Sequence, residues 1–166
     1  MIIRHLALIT FSLIGLQGCK GDDSSSDNAN QSDDTINSQS RFADVIDISV
    51  NGNENNYRFE VTVSSPDTGC EQYADYWEVV TMEGELIYRR ILAHSHVNEQ
   101  PFTRSGGPVQ ISADQEVWIR AHMNTSSYGG NVLRGSVNEG FEESTLGGAF
   151  APSLQEQQPL PDFCQF

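Results

Sequence analysis

The sequence predicts an all-β fold: a single antiparallel β-sandwich, preceded by a disordered N-terminal tether and followed by an irregular C-terminal tail. Three observations predict it. From Arg41 onward the apolar residues alternate with polar ones instead of recurring at helical spacing. Seven or so short alternating runs are separated by turn signals. No stretch carries a convincing amphipathic helix pattern.

Val45, Ile48 and Val50 lie in a first strand, which Asn51-Gly52-Asn53 closes as a turn. Tyr57, Phe59, Val61 and Val63 then alternate with Arg58, Glu60 and Thr62, the mark of a half-buried strand. Residues 73–81 form a third, with Trp77 and Val79 on one face and Tyr76, Glu78 and Val80 on the other. Glu83-Gly84 is a short turn, and residues 85–92 run back as a fourth strand. A fifth lies at 100–105, with 109–111 extending it or forming another. Residues 115–122 set Val117, Ile119 and Ala121 against Trp118, Arg120 and His122, and 132–137 close the sheet. The sandwich thus covers residues 41–138. The Gly-, Pro- and Gln-rich segment 139–166 has little periodicity and reads as a tail held to the domain. Size and strand count resemble the immunoglobulin or fibronectin type III architecture, a likeness of fold that implies no function.

The chain has 166 residues, 37% of them hydrophobic, which supports one core. Its formal net charge is -14, and Lys20 is its only lysine. Nucleic acid is therefore not expected as a partner, because phosphate binding needs a Lys/Arg-rich face. Electrostatic docking onto anionic lipid is disfavoured for the same reason.

The N-terminus carries the sharpest motif. Met1 to His5 form a short start that carries Arg4, and Leu6 begins an apolar run, LALITFSLIGL, that ends at Leu16. As a helix this run spans roughly 16 Å, about half a bilayer core, which suits a signal peptide and not a permanent span. Leu16-Gln17-Gly18-Cys19 follows. This resembles the lipobox of bacterial lipoproteins, although Gln17 is bulkier and more polar than usual at its position. The resemblance implies export, cleavage of residues 1–18, and lipid on the thiol of Cys19. It implies a membrane as partner through palmitate-type acyl chains, since two or more chains anchor stably where one does not. Lys20 in place of Asp after the cysteine suggests the outer membrane by the sorting habit of enterobacterial lipoproteins. Residues 20–40 hold one aliphatic residue, Ile36, and no aromatic. Such a stretch cannot bury enough apolar surface to offset its ordering entropy and is expected to be a disordered tether.

With Cys19 assigned to lipid, Cys70 and Cys164 remain as an even pair in an oxidising compartment, which predicts a disulfide.

Site chemistry is weaker in the sequence. His94 and His96 are two apart, so an extended chain would point both to one side. With His122 and the thioether of Met123 they form a candidate metal set suited to copper first and zinc next. A second candidate is a binding patch in residues 88–107: Tyr88, Arg90, Glu99 and Arg104, with Tyr128 of the Tyr128-Gly129-Gly130 turn as its rim. Its ligand would be an envelope protein or a small molecule. Catalysis is not expected. Ser95 sits between two histidines, but neighbours in an extended chain point apart, and no G-x-S-x-G elbow is present.

Overall fold

The computed structural model describes residues 41–165. The leader, Cys19 and the tether lie outside the described residues. Eight strands form two antiparallel sheets. They are β1 (Asp44–Asn53), β2 (Asn56–Ser64), β3 (Ala74–Thr81), β4 (Leu86–Ile91), β5 (Phe102–Val109), β6 (Val117–Met123), β7 (Asn131–Ser136) and β8 (Gly140–Thr145). One sheet has the order β1-β2-β5, the other β4-β3-β6-β7-β8. Among the described residues there is no α-helix, only a 3-10 turn at Pro152–Glu156.

The alternating runs became strands within a few residues of where expected, the fifth running through to Val109, with two larger differences. The first hairpin turns later than predicted: Asn53 pairs with Asn56, so Glu54-Asn55 is the loop, and Asn55 takes a positive φ of 62°. Gly52, at φ 112°, lies inside the strand pair, where a Cβ would come within 2.6 Å of the Asn56 carbonyl oxygen. The second difference is β8, which lies in the segment expected to be an irregular tail. It pairs along its length with β7. Only Phe141 of its residues is a large apolar group, so backbone pairing and not hydrophobic pattern makes it a strand.

The main core lies between the sheets. Val45, Phe59, Val61 and Val63 of the three-stranded sheet pack with Trp77, Val79, Val117 and Ile119 of the other. Each such side chain contributes about 1.5–3 kcal/mol of transfer free energy when fully buried. Gly106 marks a close approach of β5 to β4, where a Cβ would fall 2.7 Å from the Tyr88 ring and 2.8 Å from Trp77.

A second cluster sits on the opposite face of the five-stranded sheet. Val80, Trp118, Val132 and Leu154 form it, with Phe150 and Leu146 packed alongside. The C-terminal segment therefore covers the face that alternation alone would have left to solvent. As a result β6 is buried at every position and β3 at every position but the last. The segment is pinned at its end by the Cys70–Cys164 disulfide, with 5.6 Å between the two Cα atoms. Gln165 N–H also donates to the Ala93 carbonyl at 2.6 Å.

Candidate functional site

The covered outer face is polar at its centre. Glu78 of β3 lies across from Arg89 of β4 on one side and Arg120 of β6 on the other. Arg89 Nε and Nη2 donate to Glu78 Oε2 at 2.8 and 2.5 Å, and Arg120 Nε donates to Oε1 at 2.8 Å. All three side chains are at most 2% exposed. Burying charges is costly unless each is paired and its remaining hydrogen-bonding capacity met. One carboxylate faces two guanidiniums here, and the covering segment meets the surplus. Arg89 donates to the carbonyls of Leu154, Gln157 and Pro159 at 2.7, 2.6 and 3.0 Å. Arg120 donates to those of Phe150 and Ala151 at 2.7 and 3.2 Å. The guanidiniums also lie over aromatic rings, Arg89 4.1 Å above Tyr76 and Arg120 3.5 Å above Tyr128.

Beside this network lies a cleft of about 380 Å³ next to the disulfide. Tyr73, Asp75, Tyr76 and His122 line it from the sheet, and Asp162 and Phe163 from the C-terminal segment. His122 Nδ1 and Asp75 Oδ1 share a hydrogen bond of 2.7 Å. The imidazole stacks on Tyr76, with 4.4 Å between centroids and 6° between planes, and meets Tyr128 edge-on at 4.9 Å. The Tyr76 and Tyr128 hydroxyls share a hydrogen bond of 2.9 Å. Burial is the main cause that raises both phenols, Tyr128 to about 12 and Tyr76 beyond its ordinary range. Tyr73 is raised too, by burial and then by the negative charges of Asp75 and Asp67. Every ring in this row is therefore fixed by stacking, pairing or burial before any ligand arrives.

The histidines divide between two places. His94 and His96 lie in the loop after β4, with ring centroids 4.6 Å apart, and line a separate cleft with Glu99. His96 stacks on Phe102 at 3.7 Å, and neither of its ring nitrogens has a hydrogen-bond partner. Burial lowers its pKa to about 4, helped by the positive charge of Arg104. Its backbone N–H is held by Asp67 Oδ2 at 2.8 Å. His122 points instead to the outer face of β6, as alternation with Arg120 requires, and Met123 enters the main core. The expected set of His94, His96, His122 and Met123 is thus not assembled. Among the described residues no group of three or more His, Cys, Asp or Glu side chains gathers to hold a metal ion.

The expected binding patch is also divided. Glu99 and Arg104 form an exposed ion pair at 2.8 Å, and Arg104 holds the Glu99 carboxyl below its usual range. Arg90 ties the sheet edges together, with Nε donating to the Ser105 carbonyl at 3.0 Å. Tyr88 packs at the same seam, 5.7 Å from Trp77 between ring centroids. Tyr128 lies on the outer face beneath Arg120 and forms no rim to these residues. Sequence reasoning left Glu78, Asp75 and Asp162 outside its candidate sites; the strand arginines, Arg89 and Arg120 among them, read there as partners of acidic residues, and both pair with Glu78. A signal for Glu78 and Arg120 was present: on β3 and β6 the charged residues alternate with aromatic ones, Tyr76-x-Glu78 and Trp118-x-Arg120, which is a poor pattern for a face left to water.

No family model matches the chain, and no solved structure matches it. It is similar to a protein of the archaeon Halomicrobium mukohataei that carries the name "Putative lipoprotein", with 34% identity over 110 residues. The match covers 64% of this chain and 54% of that protein, so the chain spans about half the length of the curated relative it matches.

Proposed function

We propose that this protein is exported, cleaved before Cys19 and anchored to a membrane by lipid on that cysteine, and that its sandwich acts as a ligand- or partner-binding module without catalytic activity. The cysteine count carries the anchor. The domain joins Cys70 to Cys164, which leaves Cys19 as the odd thiol, directly after Leu16-Gln17-Gly18. The lipoprotein name of the similar archaeal protein supports the same reading. That source lends no weight to an outer membrane in particular, and the proposal is for anchoring to a membrane of the producing cell. The strand order supports a fibronectin type III-like sandwich, three strands facing four, with β8 added at the edge. A module of this kind presents its clefts on a rigid frame, as the fixed aromatic row beside His122 illustrates.

Labelled palmitate in producing cells tests the anchor. The wild type is expected to take up label and Cys19→Ala to take up none. Equal labelling of both overturns the proposal.

A further inference from the structure

The cleft beside the disulfide has a definite chemical character. Tyr73, Asp75 and His122 are 5%, 7% and 8% exposed, so their side chains are held in place by the fold. Each nevertheless keeps a polar atom that no protein group uses. Asp75 commits Oδ1 to His122, which leaves Oδ2. His122 shares its Nδ1 with that carboxylate, which leaves Nε2, an acceptor in the neutral ring whose proton sits on Nδ1. The Tyr73 hydroxyl makes no hydrogen bond either. None of these three atoms is shut away from water, in contrast to the ring nitrogens of His96. Across the cleft Asp162 is exposed and has no ion pair or hydrogen bond among the described residues.

The free charged groups are therefore acceptors: two carboxylates, beside an imidazole nitrogen, against the neutral donors of the Tyr73 hydroxyl and the Gln155 amide. No Lys or Arg lines the cleft. Phe163 stands at its edge, 63% exposed, and the neighbouring Cys164 bridge holds it there. An aromatic ring kept in water beside a carboxylate offers a face to a cation or its alkyl stem. The volume falls within the range of small-molecule sites, about 300–1,000 Å³.

We propose that this cleft binds a small molecule bearing a primary ammonium group, held by Asp75, His122 and Asp162 with its carbon chain against Phe163. An ammonium offers three donors and no acceptor, the complement of what the cleft leaves free. A carboxylate or phosphate ligand would meet two negative side chains with no cation to offset them. The proposal names a ligand class for the binding module above and rests on that reading. Palmitate labelling reports on the anchor alone, so the two can fail separately.

The test is titration of the ¹⁵N-labelled full chain in detergent with putrescine, followed by NMR and calorimetry at low salt. Saturable shifts confined to Tyr73, Asp75, His122 and their neighbours are expected. Asp162→Asn, on an exposed segment that leaves the fold intact, should weaken binding by about tenfold or more. Glu142→Gln, on β8, should leave it unchanged. Shifts spread evenly over the acidic surface overturn the proposal. So does equal affinity for 1,4-butanediol, unchanged affinity in Asp162→Asn, or no saturation by putrescine at millimolar concentration.

Discussion

The two faces of the five-stranded sheet are buried to similar depth by different physics. Inward, Trp77, Val79, Val117 and Ile119 meet the three-stranded sheet, and shape and apolar area suffice. Outward, one residue along the same strands, Tyr76, Glu78, Arg120 and His122 are buried as well. There every charge needs a partner, and the partners come from a neighbouring strand and from the carbonyls of the C-terminal segment. On β3 and β6, alternation of residue type marks which partner each face takes and not which face meets water.

If the outer face depends on its cover, loss of the pin should act there first. Cys70→Ser with Cys164→Ser should cost about 4–5 kcal/mol in the chain-entropy model, read from denaturant midpoints. Protease should then cut between Phe150 and Pro161 while the tryptophan signal of the inner face persists. Simultaneous loss of both would show that the faces form one unit. Next in size is Glu78→Gln, which leaves two buried guanidiniums without a counter-charge and should cost roughly 3–5 kcal/mol. Replacing the whole network, Glu78→Leu with Arg89→Met and Arg120→Met, should restore the stability of the sheet but leave the segment loose to protease. A triple variant as unstable as Glu78→Gln would count against the two-face account.

The third expectation concerns His96, a polar ring packed on Phe102 of the main core, its nitrogens without hydrogen-bond partners and Nδ1 3.9 Å from Asp67 Oδ2. Its folded pKa of about 4 lies below the ordinary 6.5, so the unfolded chain takes up the proton first. Its share of stability is complete above pH 6.5 and is lost as pH falls toward 4. With allowance for the open cleft beside it, the loss is on the order of 1–3 kcal/mol. Unfolding free energies at pH 7 and pH 5 should differ by about 1–2 kcal/mol of this, and His96→Phe should flatten that part of the slope. An unchanged slope would remove His96 from the account.

The inner face could be read in the sequence because period-two alternation is a local signal, and Tyr57 to Val63 shows it plainly. The Cys70–Cys164 pairing could be read because few cysteines leave few choices. The outer cover could not. Arg89 and Arg90 are adjacent and alike, and only the register that sets Glu78 opposite Arg89 decides which is buried. His122 and Met123 are neighbours in the chain, yet a strand sends them to opposite faces. The segment from Phe150 to Pro159 has no regular period, because what it supplies to the two arginines is backbone.

That last contact bears on how the protein can change over generations. Carbonyl oxygens are common to all residues, so the arginines hold the segment without reading its side chains. Apart from Phe150, Ala151 and Leu154, which pack in the outer cluster, its residues are freer to drift under mutation while the clasp stays shut. The wall of the cleft that carries Asp162 and Phe163 follows directly on this stretch and ends at the Cys164 bridge. The fold thereby keeps its frame constant and leaves one side of its binding surface open to variation, much as a hinge plate accepts different doors.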